Sequence, residues 1–414
     1  MKAHNRFILS GIVVSSVVFV SAAHSQTWKQ LNAPITNWVC VASSATGSNL
    51  FAAARGSADG VAPGPIYRSD DAGATWTQST APITNWTSIA CSGDGSVLIG
   101  SAESALFVST DSGATWVERT PESIWTSFVY LYAVAASADG QVLVAANSIA
   151  AGYNWASQLF VSTNQGSDWT MTVASEFVQS VACSGNGRTA RAGAIESSYV
   201  GSTYVSTNYG QVWTENYASA STWQRVACSA DGGRQIAIGN GLLWLSLDGG
   251  ATWQQPTNPD MVGDRASLAI SASAEHMVLA FDANLGGAIF ASSNTGLTWS
   301  RTDAPITNWT SVASSADASQ LVACSHGWPN GGQIYMSRTL PRPTLSIVPR
   351  SGSMSLSWLV PSLAFVLQQN PDLSTTNWTD VTAKPSLNYT NLNYELTVPA
   401  GPGAMFYRLA AKTQ

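Results

Sequence analysis

Charge is what this 414-residue chain has least of: Asp, Glu, Lys and Arg make up 10% of it, where about 25% is usual for soluble domains. Its surface must therefore rely on Ser, Thr, Asn and Gln. Eighteen cations against 24 anions leave a formal charge of −6, and no basic face is visible for a nucleic-acid partner. Histidine is rarer still, with four residues. His4 and His24 lie near the N-terminus, and His276 and His326 are far apart, so no spacing suggests a metal cluster and no cofactor is expected. A Gly-x-Ser-x-Gly elbow and a phosphate-cradling glycine loop are both missing.

Long apolar runs are also scarce. The one example, Phe7 to Val20, follows Lys2 and Arg6 and precedes the small residues Ser21, Ala22, Ala23 and Ser25. That order describes a secretory signal over residues 1–25 rather than a spanning helix. The mature chain is expected outside the cytoplasm of a bacterium, secreted, periplasmic or cell-surface, without a transmembrane segment, and as a monomer. Five cysteines in such a compartment raise the question of disulfides. Cys91, Cys183 and Cys228 recur at one place in three similar segments and read as small buried side chains. If those segments lie in stacked sheets about 10 Å apart, they are too distant to bridge. Cys40 and Cys324 form the one pair to check, and free thiols are the preferred reading.

What the chain has in quantity is a repeat. Ser-x-Asp/Asn-x-Gly-x-x-Trp occurs six times: Asp71, Gly73 and Trp76; Asp111, Gly113 and Trp116; Asn164, Gly166 and Trp169; Asn208, Gly210 and Trp213; Asp248, Gly250 and Trp253; Asn294, Gly296 and Trp299. Successive Trp residues are 40, 53, 44, 40 and 46 apart, a period suited to four-stranded propeller blades. A β-branched or aromatic run leads into each Ser, the Asp or Asn closes a turn with its side chain, Gly supplies an unusual backbone angle, and Trp opens the next strand. These residues have a structural role.

Seven innermost strands are expected, around Val41, Ile89, Val134, Val181, Val226, Leu268 and Val312. The last unit reaches Ile334–Ser337 without a box, while Thr27-Trp28-Lys29-Gln30 resembles Thr75-Trp76-Thr77-Gln78. The N-terminal strand should therefore complete the seventh blade and leave no open edge. The fold class is all-β: a seven-bladed β-propeller over residues 26–338, closed by the N-terminal strand, a linker at 339–344, and a small β-sandwich-like module at 345–414.

The six boxes resemble the Asp-box, or BNR, repeat of sialidases, sortilin-like receptors and photosystem II assembly-factor propellers. In sialidases the boxes lie at the blade periphery, so the resemblance implies a fold and no chemistry. The C-terminal run, with Leu-Ser-Trp358, Leu-Gln-Gln-Asn-Pro-Asp-Leu, Asn-Trp378-Thr-Asp-Val and Phe-Tyr-Arg-Leu409, resembles the fibronectin-like modules of secreted bacterial proteins and implies attachment or interaction.

Candidate site residues sit on the face opposite the boxes. Ala-Pro-Ile-Thr-Asn-Trp appears three times, ending at Asn37-Trp38, Asn85-Trp86 and Asn308-Trp309, in connections entering neighbouring blades. With Trp155 and Trp328 from loops on that face, these residues are candidates for a ligand-binding surface, because rings beside amides suit sugars. The competing and preferred reading is that the Trp rings plug the seams between blades. For catalysis, Asp59, Glu103, Glu122, Glu196, Asp264 and Asp303 are loop-face carboxylates, and Arg55, Arg119, Arg225 and Arg265 could approach them, yet no spacing singles out the pair a glycosidase requires. The sialidase Arg-Ile-Pro signature is missing. The reading is a non-catalytic propeller that binds a glycan or an extracellular protein, with a sialidase-like or other glycoside hydrolase as the alternative.

Overall fold

The computed structural model describes residues 27–55, 62–103, 105–122, 129–151, 154–174, 177–195, 202–216, 223–256, 266–282, 286–327, 331–339, 343–360, 365–400 and 403–411. The expected signal, residues 1–25, lies outside the described residues. Among those residues there are nine antiparallel sheets and no helix.

Seven of the sheets follow the repeats, at residues 37–78 (blade 1), 86–118 (2), 129–174 (3), 177–216 (4), 223–246 (5), 266–301 (6) and 308–338 (7). Their innermost strands contact one another in sequence, and that of blade 7 contacts that of blade 1. The ring is a β-propeller. The N-terminal strand Trp28–Gln30 supplies the outer strand of blade 7, with Trp28 opposite Ser337, Lys29 opposite Met336 and Gln30 opposite Tyr335. Blade 5 departs from the expected four strands, because its outer strand is reduced to a single bridge between Leu245 and Gln254.

A feature that sequence reading missed locks the centre. Where each innermost strand turns back, Ala45, Gly93, Ala138, Gly185, Ala230, Ala272 and Ala316 occupy equivalent positions. The N–H of each donates to the carbonyl of the next, at 2.7–3.0 Å, and Ala316 donates to Ala45. This closed girdle satisfies backbone groups that the inner edges of the sheets would otherwise leave unpaired. The signal was present as Ser followed by Ala or Gly in all seven units, since only a small residue lets neighbouring turns approach so closely. A second tie runs deeper along the strands, where Ser88, Ser180, Ser267 and Ser311 accept hydrogen bonds from the N–H groups of Val134, Val226, Val312 and Val41 in the following blade.

At two blade boundaries, aromatic residues of one blade pack against a mainly aliphatic face of the preceding blade. Trp38, Tyr67 and Trp76 of blade 1 pack with Val322, Ile334 and Met336 of blade 7. Trp86, Phe107 and Trp116 of blade 2 pack with Phe51, Ala53 and Ile66 of blade 1.

In each box the Ser hydroxyl donates to the Asp or Asn and accepts from the Gly N–H. In the second box, Ser109 Oγ to Asp111 is 2.8 Å and Gly113 N to Ser109 Oγ is 2.9 Å. Gly113 has φ +80° as expected, but the residue before it is also left-handed, as Ala72, Ser112, Gln165, Tyr209 and Thr295 show with φ of 55–60°. Sequence reading assigned the strain to glycine alone. A Cβ at Gly113 would meet its neighbours at 3.8 Å, whereas one at Gly210 would run into the Val161 side chain. Gly113→Ala is therefore expected to cost about 1–2 kcal/mol from backbone strain alone, and Gly210→Ala more. Urea unfolding of the two variants gives the comparison, and equal costs would contradict the contact argument.

The boxes also respond to acid. Hydrogen bonds from the Thr75 hydroxyl and N–H hold the Asp71 carboxyl down to about 2 from an ordinary 3.8; bonds from Thr252 do the same for Asp248, and bonds from Thr115 lower Asp111. A carboxylate whose pKa falls on folding contributes stability that is present above about pH 4 and is lost as the pH drops towards 2. Asn at this position keeps the turn, because Asn294 Nδ2 donates to Thr298 Oγ1 (2.9 Å) where Asp111 accepts from Thr115 Oγ1 (2.6 Å). A triple variant with Asp71, Asp111 and Asp248 changed to Asn should thus lose less stability than the wild type between pH 4 and pH 2. Melting curves across that range measure the difference.

The remaining two sheets form the C-terminal module. One contains Ser346–Arg350, Ser353–Leu359, Asn393–Pro399 and Ser386–Asn388, and the other Thr379–Asp380, Phe365–Asn370 and Phe406–Ala411. They enclose Leu356, Trp358, Leu367, Leu396 and Val398. Ser386–Asn388 is the strand sequence reading missed. With three residues it carries no alternating pattern of its own.

Candidate functional site

The three hexapeptide connections bury the same two residues, the first and the last. Ala33, Ala81 and Ala304 are buried at their start, and Trp38, Trp86 and Trp309 are 0%, 0% and 2% exposed at their end. Thr36 bridges Gly332, Thr84 bridges Gly64, and the Thr307 N–H donates to the Gly287 carbonyl at 3.1 Å. Each connection is thereby tied to the loop between the second and third strands of the preceding blade.

On one side each Trp ring packs against its own blade, and on the other Trp38 and Trp86 meet the preceding blade. Trp38 meets Tyr67 at 5.6 Å and Trp76 at 6.4 Å; Trp86 meets Phe107 at 5.5 Å and Trp116 at 6.0 Å; Trp309 meets Tyr335 at 5.3 Å and Trp28 at 6.2 Å. In blade 7, Trp28 thus takes the place of the missing box Trp. Trp223 repeats the arrangement with Trp244 and Trp253. The stacking surface proposed on Trp38, Trp86 and Trp309 is corrected accordingly: their faces are used between blades, because a large apolar ring gains more from burial there than from solvent.

The amides are partly withdrawn too. Asn37 is buried, while Asn85 is half-buried and donates to Glu103 Oε1 at 2.6 Å. Asn308 is half-buried. Trp155 stands in a strand opposite Ala150, and Trp328 lies outside the described residues.

What the connections turn outward is isoleucine. Ile35, Ile83 and Ile306 are 66%, 61% and 68% exposed. They stand on three consecutive boundaries, from blade 6 to 7, 7 to 1 and 1 to 2. The sequence signal for them was their identical placement in three copies, beside a larger apolar Trp that is the stronger candidate by size alone.

Among the described residues, the carboxylate candidates are engaged or exposed separately. Asp59, Glu196, Asp264 and Arg265 lie outside the described residues. Glu103 is engaged with Asn85, Asp303 accepts from the Trp28 N–H at 3.1 Å, and Glu122 and Arg119 are exposed. Arg55 is half-buried. Arg225 lies on the innermost strand of blade 5 and donates to the Gln224 carbonyl at 2.8 Å, and desolvation lowers its pKa. Among the described residues no group of His, Cys, Asp and Glu could hold a metal ion, and no helix is long and apolar enough to cross a membrane.

All five cysteines are free, including Cys40 and Cys324. Cys324 is enclosed, but Cys91, Cys183 and Cys228, expected to be buried, are half-exposed and line the central channel. Their place on the innermost strands leaves one side without a neighbouring sheet.

No family model and no curated protein matches the chain. Solved structures do. A structure described as YCF48 bound to D1 peptide aligns over 80% of this chain and 99% of its own, with TM-score 0.53 and 16% identity. Hydrazine synthase of Kuenenia stuttgartiensis aligns over 78% of this chain and 100% of its own, with TM-score 0.56 and 14% identity. Both are β-propeller proteins, and at such identities the likeness concerns architecture: the chain shares the β-propeller fold with them.

Proposed function

We propose that the chain is an exported, non-catalytic propeller that binds an extracellular protein partner on the face of the connections between blades. The observation that carries this reading is the row of Ile35, Ile83 and Ile306. Single exposed apolar residues are ordinary on protein surfaces, but here one connection, repeated at three neighbouring boundaries, buries its Ala and Trp and turns the same isoleucine outward. Peptide binding by the structural neighbour YCF48 supports a protein partner over a glycan. The signal-like segment at residues 1–25 supports export.

The experiment compares the wild type with a variant carrying Asp at positions 35, 83 and 306, probing peptide and glycan arrays in parallel. Because the three side chains are largely in solvent, the melting temperature should be unchanged. Peptide binding in the wild type should fall about tenfold or more in the variant, as expected when a few central apolar contacts dominate an interface. Glycan binding that survives the substitutions, or release of reducing sugar or sialic acid by the purified protein, would refute the proposal and favour the hydrolase alternative.

A further inference from the structure

One mouth of the central channel is already filled by the chain's own C-terminal module. The turn at 389–392 joins Ser386–Asn388 to Asn393–Pro399, and its last residue, Leu392, has φ +55°. Leucine takes up this left-handed conformation at a cost, and it persists where surrounding contacts enforce it. Those contacts are present. Leu392 and Val360 are buried in one cluster with Ala45, Ala138, Ala230, Ala272 and Ala316, all members of the hydrogen-bonded girdle. The Val360 N–H donates to the Leu392 carbonyl at 2.9 Å, which holds the turn against the neighbouring strand.

Two polar details fix the docking on the blade 4 side. Asn186 Nδ2 donates to Thr390 Oγ1 at 3.2 Å. Gly185 is without a side chain where a Cβ would collide with the Tyr389 carbonyl oxygen. Beneath Leu392 lies a cavity of about 160 Å³, whose lining includes Cys91, Cys183 and Cys228. Desolvation raises all three thiols, Cys91 and Cys228 to about 12, so at neutral pH they stay protonated and weakly nucleophilic.

We propose that the C-terminal module is a stopper for the propeller channel, seated by Leu392 in the ring of small residues, and that it bars reagents from reaching the half-exposed channel cysteines through this mouth. The attachment role implied by the module's resemblance to fibronectin-like domains then gives way to an intramolecular one. This inference is independent of the partner face, which lies at the opposite end of the blades.

The test is thiol labelling of the intact mature protein with N-ethylmaleimide under native conditions, read peptide by peptide by mass spectrometry. Cys324, fully buried between blades 7 and 1, is the internal reference. Leu392→Gly removes the plug while relieving the left-handed strain, and Leu392→Ala removes it while keeping a Cβ. In the wild type, Cys91, Cys183 and Cys228 should label slowly, because their exposed surface faces the plugged channel. In both variants those three should label faster by about tenfold or more, as local opening at one mouth requires, with Cys324 unchanged. Unaltered labelling in both variants would overturn the proposal, and so would rapid labelling of the three thiols in the wild type. Acceleration of Cys324 to the same degree in both variants would overturn it too, since Leu392 would then be holding the whole fold rather than one mouth.

Discussion

Removing residues 27–31 is expected to destabilise the ring more than any single substitution in it. The segment contributes the outer strand of blade 7, with Trp28 to Gln30 paired to Ser337 to Tyr335, and the Leu31 N–H donates to the Ile334 carbonyl at 2.8 Å. It also delivers Trp28, 8% exposed, against Trp309. Trp28→Ala alone should cost about 3–5 kcal/mol, as large-to-small changes in a core do. Deletion should cost more, because it also leaves the Ile334–Arg338 strand as an unpaired edge open to association. Thermal melting with light scattering measures both consequences. A deletion variant that melts like the wild type would mean that the ring does not depend on its N-terminal closure.

Trp86→Ala is the second large effect, and it separates packing from recognition. The ring is fully buried between Phe107 and Trp116 on its own blade and the apolar face of blade 1. A loss of about 3–5 kcal/mol is expected, measured by chemical denaturation, with Trp38→Ala behaving alike. Ile83→Asp, three residues earlier and largely exposed, should leave stability within about 0.5 kcal/mol of the wild type, as surface substitutions usually do. Equal effects of Trp86→Ala and Ile83→Asp on stability would contradict the burial pattern of the connection. Any loss of ligand binding in Trp86→Ala has to be corrected for unfolding before it is attributed to contact.

Much of the architecture was legible because it is written in short-range chemistry. The boxes specify a turn through Ser, Asp or Asn and Gly within five residues, and repetition of that turn at blade-like intervals implies a propeller. The innermost strands around Val41, Ile89, Val134, Val181, Val226, Leu268 and Val312 were recognisable from their apolar runs, and the pairing of Trp28 with the last blade followed from two incomplete halves. The reduced outer strand of blade 5 and the strand Ser386–Asn388 were not legible, since both are too short to show a period. The roles of the hexapeptide residues were harder to read. Trp and Ile are both apolar, and nothing within six residues says which of them faces solvent.

By itself, then, the sequence determined the repeat, the turn chemistry, the all-β class and the need for the N-terminal strand, because each rests on contacts between near neighbours or on a repeated pattern. Three matters were decided only by the tertiary structure. The girdle from Ala45 to Ala316 exists because seven separate turns converge on one axis. The Trp rings are covered because neighbouring blades close over them, which leaves Ile35, Ile83 and Ile306 as the exposed apolar positions of their connections. Leu392 meets the girdle across a separation of 76 residues or more (392 − 316), and no local pattern encodes a contact between a hairpin tip and a ring that exists only once the chain has closed.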